Sequence, residues 1–222
     1  MKELPDCARC KVPVDKRICL HPDGIGPKNC PTLNFATEYK TEFQQALETS
    51  KEFAKLASLQ EAACYQNRFN DKSLHATKPR LIETVEFAKR IGAKRLGVAF
   101  CVGLTREAEI VANFLASKGF EICSVMCKAG SVPKETLGLT DNDKLRPGTH
   151  EPMCHPIAQA KIFNAVKTDL NILLGLCVGH DSLFFKFSEA PVTVLAAKDR
   201  TTGHNPLAAV YALNSYFRWL KD

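Results

Sequence analysis

The stretch RLGVAFCVGLTREAEIVANFLASKGFEICSVMC, residues 95–127, decides the fold class. It begins and ends with short apolar runs of the kind that form buried strands. Between these runs, residues 105–119 carry apolar side chains at a helical period and close with Gly119, a common helix terminator. A strand, a helix and a second strand in this order predict parallel pairing, because parallel strands need a crossover connection of this length.

The same alternation continues after this unit. Apolar runs at residues 170–177 and 191–197 predict two further strands. Helices are predicted from helical apolar periodicity and, in several cases, from a proline near the first turn; they cover residues 36–65, 79–92, 155–168, 181–189 and 205–220. We therefore expect an α/β fold, with a layered, mostly parallel sheet of about four strands flanked by helices.

The first 35 residues follow a different pattern, with five prolines and no hydrophobic period. Such a segment has little core and needs another source of stability. Its four cysteines are spaced C-x2-C-x8-C-x10-C, at Cys7, Cys10, Cys19 and Cys30. Because C-x2-C is the usual knuckle of a tetrahedral zinc site, we predict a zinc-binding module over residues 1–35 and an α/β domain over 36–222. His21 is an alternative ligand to Cys19, and an iron–sulfur site or free thiols are alternatives to zinc.

Cysteine content and charge limit the class of protein. There are ten cysteines in 222 residues and no export signal near the N-terminus, which predicts a reducing, cytoplasmic compartment where thiols bind metal or react. No apolar run approaches the roughly 20 residues that span a membrane. The net charge of +6 comes from scattered basic residues without interleaved aromatics, which favours anionic ligands over nucleic acid.

Three of the four predicted strands end in cysteine, at Cys101, Cys127 and Cys177. In open α/β sheets this edge is where ligands bind. Cys154 precedes a predicted helix, whose N-terminal dipole favours a thiolate, and its loop could reach the same edge. We predict that these four thiols hold an iron–sulfur cluster or a second zinc. Cys123 is assigned to the core, since four strand residues separate it from Cys127 by about 13 Å.

Polar residues follow the same strands, and they support a site. We predict that His180, Lys198 and His204 bind a small-molecule substrate or transfer protons, or serve a redox partner. A metal-independent alternative makes Cys177 or Cys154 a nucleophile with His180 or His204 as its base. A third hypothesis makes the N-terminal module a zinc-finger-type binding adaptor; basic residues surround its cysteines, but aromatic residues do not.

Five segments carry a family resemblance: FCVGLTREAE, CKAGSVPKE, MCHPIAQA, LGLCVGHDSLF and APVTVLAAKDRTTGHNP. They resemble the domain of unknown function 1847, an uncharacterised prokaryotic family whose members are described as metal-binding. The resemblance covers nearly the whole chain, and it implies metal binding at the four strand-edge cysteines without implying a particular reaction. The family pattern usually has asparagine where this chain has His155, a difference that adds a ligand or has no consequence.

Overall fold

The computed structural model describes residues 4–66 and 73–221. The chain divides into two compact units, one up to Ser58 and the other from Leu59 onward. The boundary predicted after residue 35 stays a prediction. No helix among the described residues is long and apolar enough to cross a membrane.

The first unit consists of short helical segments around the N-terminal cysteines. They are two 3-10 turns, Cys7–Arg9 and Val14–Lys16, and the helices α1 (Pro31–Asn34), α2 (Ala36–Lys40), α3 (Glu42–Thr49) and the start of α4 (Lys51–Ala63). The single helix predicted over residues 36–65 is therefore wrong in its continuity. It breaks at Thr41 and Ser50, where the backbone leaves helical geometry. Hydroxyl side chains compete for backbone partners, and the Thr41 hydroxyl donates to the carbonyl of Thr37 at 3.1 Å.

The second unit contains the predicted sheet. Its elements in chain order are β1 (Tyr65–Gln66), β2 (His75–Ala76), α5 (Arg80–Arg90), β3 (Arg95–Phe100), α6 (Thr105–Ser117), β4 (Glu121–Met126), α7 (Pro156–Ala165), β5 (Leu170–Leu174), α8 (His180–Phe187), β6 (Val192–Ala196) and α9 (Leu207–Tyr211). The four longer strands form one parallel sheet in the order β4-β3-β5-β6, which confirms the α/β prediction. The short strands β1 and β2 pair antiparallel and were not predicted.

Alternation along the central strands gives the sheet two apolar faces. On β3, Leu96 and Val98 face a core that includes residues of α5 and α6. Ala99 and the following Cys101 face the opposite core, which includes residues of α7 and α8. The strand-end cysteines therefore belong to the layer that α7 and α8 cover.

Two predicted elements end earlier than expected. β5 stops at Leu174 because Gly175 turns the chain with a φ of +69°, so Cys177 lies beyond the strand rather than on it. The helix predicted over 205–220 is wrong in extent, since α9 covers only five residues. After α9 the carbonyl of Ala212 accepts from the amides of Ser215 and Phe217, which are turn contacts rather than helical ones.

Gly97 lies at the centre of the sheet and leaves no space for a side chain. A Cβ there would lie 2.8 Å from Phe163 Cδ2 and would also collide with Asn171 Oδ1. We expect Gly97→Ala to lower the free energy of unfolding by about 1–3 kcal/mol through overpacking. Urea unfolding should show this loss, whereas the exposed Glu109→Ala should change stability by less than about 0.5 kcal/mol. Equal stability of the two variants would contradict the close packing at Gly97.

Candidate metal centres

The four N-terminal cysteines line one cavity of about 50 Å³. The 3-10 turn at Cys7–Arg9 forms the knuckle, in which the amide of Cys10 donates to the carbonyl of Cys7 at 3.3 Å. Gly26 passes so close to Cys30 that a Cβ would lie 2.8 Å from its Sγ. The sequence therefore folds so that all four predicted zinc ligands line one small cavity.

Backbone pairing between residues 16–18 and 25 closes the loop that carries Cys19. The amide of Ile18 donates to Ile25 at 3.0 Å, and the amide of Ile25 donates to Lys16 at 2.8 Å. His21 lines a separate pocket with Asp15 and Asp23. Between the two ligands considered for the third position, the geometry thus favours Cys19.

At the sheet edge, three of the four predicted cysteines come together. Cys101 and Cys127 directly follow β3 and β4 and are both buried. The Sγ atoms of Cys127 and Cys154 are 3.7 Å apart. The backbone amide of Val102 also donates to Cys127 Sγ at 3.3 Å. Thiols from three distant parts of the chain therefore meet around Cys127.

Contacts between the three thiols shift their pKa values in opposite directions. Contacts with the thiols of Cys101 and Cys154, together with burial, raise the pKa of Cys127 well above its ordinary value. The same contacts lower the pKa of Cys101 to about 4, helped by the Gly103 amide and Lys198, and that of Cys154 to about 5, helped by Lys128 and His180. The three thiols are therefore coupled, and Cys101 and Cys154 ionise more readily than Cys127.

A long loop, residues 128–153, delivers Cys154 to this edge. Lys128 Nζ donates to the carbonyl of Pro152 at 2.6 Å, so the two ends of the loop are tied together. Farther along the loop, the largely buried side chains of Lys134 and Glu151 form an ion pair, with 2.5 Å between Nζ and Oε1. The amide of His155 then donates to the carbonyl of Cys127 at 2.7 Å. These contacts fix the position of Cys154 relative to β4.

His155 caps helix α7. Its Nδ1 accepts from the amide of Ala158 at 3.2 Å. Asparagine is a favoured residue at this position of a helix, so histidine can replace it here without becoming a metal ligand.

The fourth predicted cysteine, Cys177, has a different partner. Arg200 Nη2 donates to its Sγ at 3.2 Å, and this contact raises the pKa of Arg200. The negative charges of Cys101 and Cys154 also raise the pKa of Arg200. Arg200 therefore contacts Cys177 and lies within electrostatic range of Cys101 and Cys154.

The three residues predicted to bind substrate or transfer protons have separate environments. Lys198 lies against Cys101 and lowers its pKa. His204 closes a turn: its Nδ1 accepts from the Asp199 amide at 3.1 Å, and its own amide donates to the Asp199 carbonyl at 2.8 Å. His180 begins α8, and its buried Nδ1 has no hydrogen-bond partner among the described residues. Their predicted roles stay predictions.

Lys128 and Arg200 were not among the predicted site residues, although each follows a strand in the sequence, as Lys198 does.

Within residues 4–66 and 73–221, no three His, Cys, Asp or Glu side chains already form a group that could hold a metal ion. Ligation at either cysteine group would therefore require rotation of side chains.

Comparisons with known proteins identify relatives without an assigned activity. A family model described as protein of unknown function (DUF1847) matches residues 30–195. This range includes the four strand-edge cysteines but leaves out Cys7, Cys10 and Cys19. An uncharacterized protein of Methanocaldococcus jannaschii, MJ0455, is 38% identical over 205 residues, which cover 92% of this chain and 93% of that protein.

Two solved structures also match, both of Dph2 from Pyrococcus horikoshii and one of them with a 4Fe-4S cluster. They are 20% and 21% identical, with a TM-score of 0.35 in each case. The match covers 65% of this chain and 33% of theirs, so the chain spans about a third of their length. A likeness this distant carries no argument about function.

Proposed function

The chain belongs to the DUF1847 family, and we propose that it is a metal-binding protein with two cysteine centres. One is a structural zinc held by the N-terminal cysteines. The other is a thiolate-ligated metal, zinc or an iron–sulfur cluster, held at the sheet edge by Cys101, Cys127, Cys154 and a fourth donor. The meeting of three thiols from separate chain segments at the ligand-binding edge of the sheet carries this proposal.

The spacing of the sheet-edge thiols supports a metal centre. Two thiolates bound at about 2.3 Å to one tetrahedral ion stand about 3.8 Å apart. The Sγ atoms of Cys127 and Cys154 are already at 3.7 Å. This distance suits two thiolates on one metal atom, such as zinc, better than two thiolates on separate irons of a 4Fe-4S cluster. In a 4Fe-4S cluster each thiolate would bind a different iron, and the side chains would have to spread, whereas a 2Fe-2S cluster keeps two thiolates on one iron.

The charges around the thiols also suit a bound metal. Three thiolates and one divalent ion leave a net negative charge in a largely buried place, which needs compensation. The charge of Lys198 lowers the pKa of Cys101, and the charge of Lys128 lowers the pKa of Cys154. When bound, the metal would supply a Lewis acid or, as a cluster, an electron carrier. The cationic side chains would hold and orient an anionic substrate beside it.

The N-terminal site is supported by its donor set and its dimensions. Four thiols are a typical set for structural zinc. They line one cavity, and Cys30 is the only buried residue among the described residues 4–58. A bound ion supplies the stabilisation that this unit does not obtain from an apolar core.

Metal analysis of the full-length protein, purified without oxygen, tests the proposal. We expect two metal ions per chain if both centres hold zinc. One zinc with additional iron, and visible absorbance that bleaches on reduction, would identify the cluster. Protein that contains no metal at the sheet edge and cannot be reconstituted would contradict this centre.

A metal-independent thiol enzyme is the second candidate, and one observation favours it. The charge of His180 acts on Cys154, and the Nδ1 of this histidine is buried without a partner among the described residues. A nucleophilic cysteine with a neighbouring histidine base has this arrangement. In this case metal-free protein should react with iodoacetamide at Cys154 first, and His180→Ala should slow that reaction. The metal content of His180→Ala as purified should equal that of the wild-type protein.

A further inference from the structure

His180 has a buried ring nitrogen that nothing in the described structure satisfies. Its Nδ1 has no hydrogen-bond partner among residues 4–66 and 73–221. A buried polar atom without a partner is unfavourable, and a bound ion or water is one explanation for it. Neutral imidazole is also one of the commonest metal ligands in proteins.

The position of His180 on α8 places it on the helix face that packs against the core with the clustered thiols. His180 is the first residue of the helix, and Phe184 lies one turn later on the same face. Phe184 is completely buried and belongs to the core that includes Cys101 and Cys127. The charge of His180 also acts on Cys154. His180 therefore lies on the α8 face nearest this core and within electrostatic range of Cys154.

Cys177 is the competing fourth ligand, but its thiol has another function in the structure. Arg200 Nη2 donates to its Sγ at 3.2 Å. To reach the metal, Cys177 would have to break this charge-assisted contact. The chain spacing Cys177-x2-His180 forms a tight turn, in which the amide of His180 donates to the Cys177 carbonyl at 2.9 Å. One turn thus carries two potential metal ligands. The thiol of Cys177 is paired with Arg200, and the Nδ1 of His180 has no partner among the described residues.

Charge also distinguishes the two ligands. Four thiolates around a divalent ion carry a net charge of about −2, whereas three thiolates and a neutral imidazole carry about −1. Because Cys101 and Cys127 are buried, the smaller net charge has the smaller desolvation cost. A neutral fourth ligand therefore suits this site better than another thiolate.

We propose that the Nδ1 of His180 is the fourth ligand of the sheet-edge centre, which is then a Cys3His site built with Cys101, Cys127 and Cys154. Cys177 remains outside it, paired with Arg200. The inference rests on the proposed sheet-edge metal. It replaces the sequence-based assignment of Cys177 as a ligand and gives His180 a role other than proton transfer.

Cobalt-substituted full-length protein tests the assignment, with matched variants at the two ends of the same turn. We expect Cys177→Ser to keep both cobalt ions and an unchanged visible spectrum. His180→Ala should bind the second cobalt more than about tenfold more weakly. His180→Cys should restore binding and strengthen the sulfur-to-cobalt charge-transfer band, since a thiolate replaces the imidazole.

X-ray absorption of the wild-type protein gives a measurement that does not depend on variants folding. With both centres filled by cobalt, one nitrogen ligand is expected beside seven sulfurs. Eight sulfurs, or loss of the second metal in Cys177→Ser with its retention in His180→Ala, would overturn the Cys3His assignment in favour of Cys177. Wild-type protein that binds only the N-terminal cobalt would instead contradict the sheet-edge centre itself, which separates the two failures.

Discussion

Cys127→Ser is expected to remove the sheet-edge metal while leaving the N-terminal zinc in place. Cys127 is the central thiol of the cluster, in contact with Cys101 on one side and Cys154 on the other. A serine hydroxyl is not ionised at neutral pH and is a poor ligand for a soft metal. Removing a residue that only supports a ligand weakens metal binding by about 10–100-fold. Removing the ligand itself should therefore weaken binding by more than about tenfold.

Cys123→Ser is the matched control, because Cys123 lies on β4, the strand that Cys127 directly follows. It packs against the same core and is partly buried, and burial raises the pKa of its thiol. We expect this variant to keep two metal ions per chain and to lose about 1 kcal/mol of stability at most. Metal stoichiometry of the two variants, measured on folded protein, decides the matter. Full metal content in Cys127→Ser would refute the sheet-edge centre.

The alternation of strands and helices was sufficient to predict where Cys101 and Cys127 lie. Parallel strands end at one edge, so residues that follow β3 and β4 become neighbours whatever the loops do. Cys154 was predictable for a related reason, since Pro156 indicates the start of a helix that must return to the sheet. Local sequence periodicity therefore determined three of the thiol positions.

The partner of Cys177 could not be predicted in this way. Its pairing with Arg200 depends on the path of the loop after β6, and no periodicity describes a loop. The orientation of His180 likewise depends on how α8 packs against α7, which is a tertiary contact. The breaks at Thr41 and Ser50 show a third limit, because isolated hydroxyl residues occur inside many continuous helices.

Removal of zinc from the N-terminal site is expected to unfold the segment around it and to leave the sheet intact. Structural zinc contributes apparent binding energies of about 10–16 kcal/mol in small zinc modules, more than the whole stability of many domains. The first unit has no comparable apolar core, since only Cys30 is buried among the described residues 4–58. The sheet, by contrast, has a core on both faces.

Hydrogen exchange of the full-length protein can measure this difference residue by residue. In the zinc-loaded protein, the amides of Ile18 and Ile25 are held in backbone hydrogen bonds and should exchange slowly. A chelator, or Cys19→Ser, should bring them to the exchange rate of an unfolded chain. Amides of β3 and β5 should keep their protection, because their hydrogen bonds lie within the buried sheet.

His21→Ala is the control that identifies the third ligand of the zinc. His21 lies in a pocket apart from the four cysteines, so its loss should leave zinc content and the protection of Ile18 and Ile25 unchanged. If His21→Ala released the zinc and Cys19→Ser did not, the histidine would be the ligand. If the segment kept its protection in the absence of metal, zinc would not be what stabilises it. The expected result, loss of protection in Cys19→Ser alone, would mean that residues 4–35 fold only when their thiols are held by an ion.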